Sequence, residues 1–211
     1  MAKKVPHNFL ESGELAVASY NFFDIADGTG VIEFYPTEAA TATSTFVQRL
    51  VNSTSHYSEN NGVTTATGSL DIDFDVTFNR PQTLDGTMYV AIPIAAKASS
   101  GTITISVSLT IKHFDGTTET TLGTAQTSPV LSTTTTSEWV SKMIILTWDI
   151  ARTLFKAGDT LRITLTDTIS GNGSQAIGHS PIGTQRTGTG LEFNSLGTSR
   201  ATAFVPFDID L

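Results

Sequence analysis

The stretch 69–78 constrains the fold most, because apolar and polar residues alternate there without a break. Side chains of a β-strand point alternately to its two faces, so one face of this stretch is apolar and the other is polar. The apolar positions are Leu70, Ile72, Phe74, Val76 and Phe78, and the polar positions are Asp71, Asp73, Asp75 and Thr77. At helical spacing the same residues would scatter around the axis. The pattern therefore indicates an antiparallel strand with one face on a core.

The same alternation recurs at 101–113, at 160–166 and at 201–211. We expect about eight to ten strands, joined by irregular and partly long connections, which favours a Greek-key or jelly-roll sandwich over an up-and-down barrel. The sequence thus predicts an all-β protein, an antiparallel β-sandwich of jelly-roll type. A short N-terminal arm over 1–13 precedes a single domain over 14–211.

Several segments carry finer expectations. The nearly continuous apolar run 140–148 predicts a strand covered on both faces, and 150–155 is compatible with one helical turn. Pro93 lies inside the predicted strand 87–96 and lacks a backbone donor, which predicts an edge strand or a bulge. The stretch 170–190 is rich in Gly, Ser and Thr and predicts a long exposed loop.

Composition excludes several classes of protein. The chain has 211 residues, a formal net charge of −8 and no cysteine. Negative charge opposes direct binding to nucleic acid, and the absence of cysteine rules out disulfides and thiolate zinc sites. The N-terminus has no apolar segment typical of a secretory signal, and no apolar run reaches membrane-spanning length. We expect a soluble protein made in the cytoplasm, without membrane contact.

No catalytic or metal-binding constellation stands out. The histidines are far apart in the sequence, at His7, His56, His113 and His179. The aspartates of the 69–78 strand would supply oxygen ligands for calcium, but their spacing of about 7 Å is too wide for one ion. A metal held with help from Asp24 or Asp27, and an unassigned glycosidase pair of carboxylates, stay open. We predict a protein that is not an enzyme, with no catalytic residues, no cofactor and no metal.

Aromatic residues offer an alternative to a purely structural role. Trp139, Trp148, Tyr20, Tyr35, Tyr57 and Tyr89 would form a sugar-stacking platform if they were exposed, although core packing is the commoner role of aromatics in strands. We expect Trp148 to be buried, because it follows an apolar run. Tyr57 lies in a polar stretch and is the aromatic most expected at the surface.

Four segments together resemble the β-rich, jelly-roll virion proteins of tailed bacteriophages that decorate or cement capsids. The segments are 148–163 (WDIARTLFKAGDTLRI), His179-Ser180-Pro181 followed by Arg186, 204–211 (FVPFDIDL), and the opening Pro6-His7-Asn8-Phe9. The resemblance is one of pattern across much of the chain rather than of a diagnostic motif. It brings no catalytic residues with it.

The resemblance implies a structural virion protein, a capsid decoration or cement subunit on the capsid surface. Its partner would be the major capsid protein or another virion protein, and it would form a homo-oligomer, with a trimer favoured. A terminal arm can add to the sheet edge of a neighbouring subunit. The predicted docking residues are Lys3, Lys4, Val5, Pro6, His7, Asn8, Phe9 and Leu10. The alternative is a carbohydrate-binding β-sandwich module of a phage tail fibre or receptor-binding protein, with a glycan as ligand.

Overall fold

The computed structural model describes residues 18–19, 29–40, 46–52, 63–179 and 201–208, and every regular element in these ranges is a β-strand. The strands are β1 (Ala18–Ser19), β2 (Thr29–Ala40), β3 (Phe46–Val51), β4 (Val63–Ala66), β5 (Asp71–Thr77), β6 (Gln82–Phe114), β7 (Glu119–Thr121), β8 (Gln126–Thr127), β9 (Leu131–Thr133), β10 (Val140–Phe155), β11 (Thr160–Gly178) and β12 (Thr202–Asp208). This confirms the predicted all-β sandwich class.

The strands close into a barrel-like sandwich. The main path runs β10-β6-β12-β2-β3-β5-β11-β4, and an additional β6–β11 pairing closes the ring β6-β12-β2-β3-β5-β11. Between the described strands, all pairings are antiparallel except a single parallel bridge between Arg49 of β3 and Asp75 of β5. On the other side of β6, β10 pairs with its first half and the short strands β7, β8 and β9 pair with its second half. Strand β10 therefore lies outside the closed ring.

The long strands β6 and β11 run together through a bend that links the two layers. Their register shifts between Ser170 and Gly173, opposite 98–104 of β6. Two glycines allow the close approach: a Cβ on Gly171 would lie 2.0 Å from the carbonyl oxygen of Thr102, and one on Gly173 would lie 2.3 Å from that of Lys97. Part of the predicted 170–190 loop is therefore strand, because glycine here serves a bulge rather than a turn. The remainder, 180–190, lies outside the described residues.

One contiguous hydrophobic core fills the space between the layers. The alternating positions predicted to point inward do so. In β5 the inward residues include Ile72 and Phe74, and in β6 they are Ile103, Ile105, Val107, Leu109 and Ile111, all buried. Phe78 and Phe155 stack edge to face, with ring centroids 5.3 Å apart, at one end of this core. Burying such side chains contributes about 1.5–3 kcal/mol each.

Three local predictions need correction. Strand β10 is covered on one face only, since Ile144, Leu146 and Trp148 are buried while Met143 and Ile145 are exposed. The stretch 150–155 is strand with a bulge between Ile150 and Thr153, not a helical turn. Pro93 belongs to an internal strand, where β6 passes from pairing with β12 at 89–91 to pairing with β11 from 94 onward. The missing donor is tolerated because the ladder is interrupted on that side.

Candidate functional site

The first candidate site is an apolar patch on the outside of the sheet formed by β10, β6, β12 and β2. We call it the outer face, and it consists of the exposed side chains of Met143, Ile145, Tyr89, Phe204 and Val31. Ile145, Tyr89, Phe204 and Val31 each lie between two buried neighbours of their own strand, and Met143 lies next to buried Ile144, so all of them point away from the core. Isolated exposed apolar residues are common on proteins, whereas a contiguous group marks a contact surface.

The strand register brings these side chains together. Tyr89 of β6 lies directly opposite Phe204 of β12, and the two are 48% and 39% exposed. Ile145 of β10, which is 67% exposed, pairs with Ala91 and is therefore a diagonal neighbour of Tyr89. Opposite residues in an antiparallel pair have Cβ atoms about 4.5–5.5 Å apart, which is contact distance for aromatic side chains. The outer face is thus continuous from β10 to β12.

Polar groups border this apolar surface. Glu33 of β2 lies opposite Phe204, and Thr147 of β10 lies opposite Tyr89. Next along the strands, the hydroxyl of Thr87 donates to Asp149 Oδ1 at 2.7 Å. An apolar centre with a polar rim is the usual anatomy of a protein–protein interface.

The acidic face of β5 is a cross-strand ladder. Arg162 of β11 makes a bidentate pair with Asp75, with Nε and an Nη nitrogen 2.8 and 2.7 Å from the two carboxylate oxygens. The hydrogen bonds to Asp75 raise the pKa of Arg162, and contacts of the same guanidinium with Asp73 and Glu119 add to the shift. Asp73 also accepts from Thr164 at 2.6 Å. These aspartates are therefore engaged across the strands, and no group of three His, Asp or Glu within the described ranges is arranged to hold a metal.

A histidine–carboxylate pair lies at the Phe155 end of the core. His113 Nε2 is 2.7 Å from Asp159 Oδ2, and the His113 ring packs on Phe155 with centroids 4.2 Å apart. Asp159 also accepts from the backbone N–H of Lys156, and these hydrogen bonds lower the pKa of Asp159. The pair joins the 156–159 turn to β6. The pair serves a structural role, because the Asp159 carboxylate is hydrogen-bonded both to the backbone of the turn and to His113 of β6.

Two further titratable side chains face inward. Asp167 is buried, accepts from the backbone N–H of Leu70 at 2.6 Å, and has a second oxygen, Oδ2, with no hydrogen-bond partner in the described part of the chain. Burial raises the pKa of Asp167. His179 is buried near Phe74, with ring centroids 5.9 Å apart, and burial lowers the pKa of His179 to about 4. For both groups, burial disfavours the charged form.

Only some of the residues predicted to form a site lie in the described part of the chain. The arm residues Lys3, Lys4, Val5, Pro6, His7, Asn8, Phe9 and Leu10 lie outside the described residues, as do His56, Tyr20 and Tyr57. Trp148 is buried, as predicted, and its indole N–H donates to the carbonyl of Leu122. Trp139 is half-buried over Ala95 and Ala176. Among the described aromatics, Tyr89 and Phe204 are the exposed pair.

Sequence reasoning missed the outer face, although a signal was present. The apolar run 140–148, which predicts burial on both faces, contains Met143 and Ile145. The structure buries only the even-numbered side. An apolar residue at a position that the fold leaves in solvent is the signal for a contact surface, and it becomes visible only with the strand order.

Comparisons with known proteins identify the fold but no family. No family model matches the sequence, and no curated protein matches it. Two crystal structures of a CocE/NonD family hydrolase from Staphylococcus aureus are similar, with TM-scores of 0.53 and 0.52 at 15% and 14% identity. They match 97% and 96% of this chain but only 40% of the hydrolase chain. A structure of infectious bursal disease virus, Gt strain, matches with a TM-score of 0.23, 12% identity, 85% of this chain and 47% of the viral one, which is too weak to carry an argument.

The likeness to the hydrolase shows a shared fold and nothing more at this identity. This chain spans less than half of the hydrolase chain. The prediction that the protein is not an enzyme gains no support from a match to a hydrolase. Among the described residues, no helix is long and apolar enough to cross a membrane.

Proposed function

We propose that this protein is a structural subunit that works by docking on other protein subunits, and that the outer face is its contact surface. The observation that carries the proposal is the cluster of exposed apolar side chains on a sheet whose opposite side is fully packed. Surfaces of this kind, with Tyr and Phe at the centre and polar groups around them, are typical of protein interfaces. A rigid sheet also presents its contacts with little loss of conformational entropy on binding.

The partner we propose is the protein lattice of a virus particle, with the protein acting as a non-catalytic capsid decoration or cement subunit of a phage. The sequence resemblance to jelly-roll virion proteins supports this partner, and the all-β fold is compatible with it. The N-terminal arm, with Lys3 to Leu10, would provide a second contact. In this proposal the protein is located on the capsid surface as a homo-oligomer.

Co-sedimentation with undecorated capsids of the producing phage tests the proposal. The informative variant is Tyr89→Ser with Phe204→Ser, and the matched control is Val130→Ser, which removes a 61% exposed apolar side chain from the β8–β9 connection. We expect wild type and the control to bind alike. The double variant should bind at least about 30-fold more weakly, since loss of one interface hot spot costs about 2 kcal/mol.

Two results separate the parts of this proposal. A protein that never co-sediments and is absent from mature virions by mass spectrometry is not a capsid subunit. If deletion of residues 3–13 abolishes binding while the double variant binds normally, the arm is the docking element and the outer face is not.

The paired aromatics favour one second candidate, a carbohydrate-binding module of a tail fibre. Tyr89 and Phe204 present two adjacent exposed rings, and stacking on such rings is one way in which proteins hold sugars. A glycan array with wild type and the double variant tests this role. Selective glycan binding that the double variant loses would assign the rings to a sugar instead of a protein partner.

A further inference from the structure

Strand β10 has an outer edge with which no described strand pairs. Within the described ranges, β10 pairs with β6 on one side and is the last strand of the main path. It is long, with 16 residues from Val140 to Phe155. The backbone N–H and C=O groups on the outer side of such a strand are a template for pairing with another chain.

The middle of this edge lacks the charged residues, prolines and bulges that usually prevent an edge strand from pairing with another chain. Between Lys142 and Asp149 the six residues 143–148 (MIILTW) contain no charge and no proline. The bulge of β10 lies beyond them, between Ile150 and Thr153. Edges that are meant to stay unpaired carry inward charges, prolines or bulges within the strand. This edge is therefore suited to accept a further strand.

We propose that the added strand is β10 of a second copy of this chain, paired antiparallel about a two-fold axis at Ile145. Residues opposite one another in an antiparallel pair share a face of the sheet. A two-fold axis perpendicular to the sheet therefore sets one residue opposite its own copy, and the choice of that residue fixes every other pair. The sequence of β10 can be compared with each choice.

The register centred on Ile145 is self-complementary. It sets Ile145 opposite the partner's Ile145 and Met143 opposite the partner's Thr147. Ser141 then lies opposite the partner's Asp149, where a hydroxyl can donate to the carboxylate. At the ends of the contact, Glu138 lies beside the partner's Arg152, whose side chain is 70% exposed and already forms a 2.7 Å ion pair with Asp208 of its own chain. Glu138 would therefore approach an ion pair that each copy already holds.

Neighbouring registers match less well. An axis at Thr147 sets Lys142 opposite the partner's Arg152 and Ile145 opposite the partner's Asp149. An axis at Leu146 sets Met143 opposite the partner's Asp149. Like charges or a charge facing an apolar group weaken a cross-strand pair. The Ile145 register has one such pair, with Lys142 opposite the partner's Trp148. The other two registers each have at least two, because the Leu146 axis also sets Lys142 opposite the partner's Ile150, so the Ile145 register is favoured.

This contact closes on itself, because each copy uses its only available β10 edge. The product is a dimer whose two outer faces lie on the same side of one extended sheet. The sequence resemblance favoured a trimer, whereas the edge favours a two-fold contact. The inference does not depend on the proposed capsid role, because pairing uses the backbone edge and not the Tyr89–Phe204 surface.

Cysteine cross-linking tests the register directly, because the full chain has no cysteine of its own. Opposite residues have Cβ atoms about 4.5–5.5 Å apart, close to disulfide geometry. Ile145→Cys should therefore give a disulfide-linked dimer under mild oxidation. Leu154→Cys is the matched control on the same strand, 55% exposed, and its copy would lie about 60 Å away. Equal cross-linking of the two variants would overturn the proposal.

Sedimentation equilibrium with charged variants provides an independent readout. Wild type should dimerise, and Ile145→Lys should weaken the dimer at least about tenfold, because two ammonium groups would then lie opposite each other. Mixing Ile145→Lys with Ile145→Glu should restore dimers. Tyr89→Ser with Phe204→Ser should dimerise like wild type, which separates this contact from capsid binding. A monomeric wild type would contradict the two-fold pairing. So would a mixture of the two charged variants that dimerises no more tightly than each variant alone.

Discussion

Gly171 and Gly158 form a matched pair for measuring how closely β11 approaches β6. Their backbone torsions are nearly equal, with φ of 96° and 95°. A Cβ on Gly171 would lie 2.0 Å from the carbonyl oxygen of Thr102, whereas a Cβ on Gly158 would meet nothing within 4 Å. Alanine at each position therefore separates the cost of the torsion from the cost of the close approach.

The two costs can be estimated separately. A left-handed torsion costs alanine about 1–2 kcal/mol, and the reduced freedom of the unfolded chain offsets about 0.4–1 kcal/mol of it. Gly158→Ala should therefore lower the free energy of unfolding by about 1 kcal/mol. Gly171→Ala adds overpacking, which costs about 1–3 kcal/mol and lies at the upper end where the obstructing atom is backbone. We expect a total loss of about 3–4 kcal/mol for Gly171→Ala.

Urea unfolding followed by tryptophan fluorescence measures both losses, because Trp148 is buried in the folded protein. Equal denaturant slopes for the variants and wild type would show that the same folded and unfolded states are compared. The expected difference between the two variants is about 2 kcal/mol or more. A difference below about 0.5 kcal/mol, the usual range for surface changes, would refute the close crossing of β11 over β6.

Two predictions concern pH and use the same unfolding assay between pH 7 and pH 4.5. Burial raises the pKa of Asp167, so its stabilising contribution is fully present below the unfolded pKa and is lost as pH rises through the folded pKa. Asp167→Asn keeps an acceptor for the Leu70 N–H. We expect this variant to raise the free energy of unfolding at pH 7 by about 1 kcal/mol, because it removes the cost of burying a carboxylate. A lower free energy of unfolding than wild type would contradict that cost. Burial lowers the pKa of His179 from its ordinary 6.5 to about 4 in the folded protein, so the unfolded chain takes up the proton first as pH falls. The free energy of unfolding should therefore fall by up to about 3 kcal/mol as pH drops from 6.5 to about 4. His179→Gln should remove this share of the pH dependence, and an unchanged slope would exclude His179 as its source.

The fold class followed from the sequence because period-two alternation is a local property. The 69–78 segment and the second half of β6 show it without interruption, and Ile72, Phe74 and Ile103 are buried as predicted. Strand order was not predictable in this way. Which strands close the ring depends on contacts between residues far apart in sequence, such as the β5–β11 pairing of Phe74 with Ile163.

The glycine-rich stretch after Thr168 shows a second limit of local reasoning. Glycines predict a turn when they permit a positive φ at a chain reversal, and they predict a bulge when another backbone comes close. Gly171 combines a positive φ with a close approach, and Gly173 has the close approach alone. Composition does not distinguish these cases, because the neighbouring backbone belongs to β6, about 70 residues earlier in the chain.

The candidate site was hidden for a related reason. A buried apolar residue and an exposed one look alike in sequence, so the run 140–148 predicts burial for the outward side chains of β10 as well. The inward residues Ile144, Leu146 and Trp148 already account for how β10 is held on β6. Ile145 gains little burial on folding, because about two thirds of its surface stays in solvent, so folding alone does not explain an isoleucine there. Its hydrophobicity yields free energy only when something else covers it. In our two proposals, a second copy along the β10 edge or a protein lattice against the outer face would supply that cover.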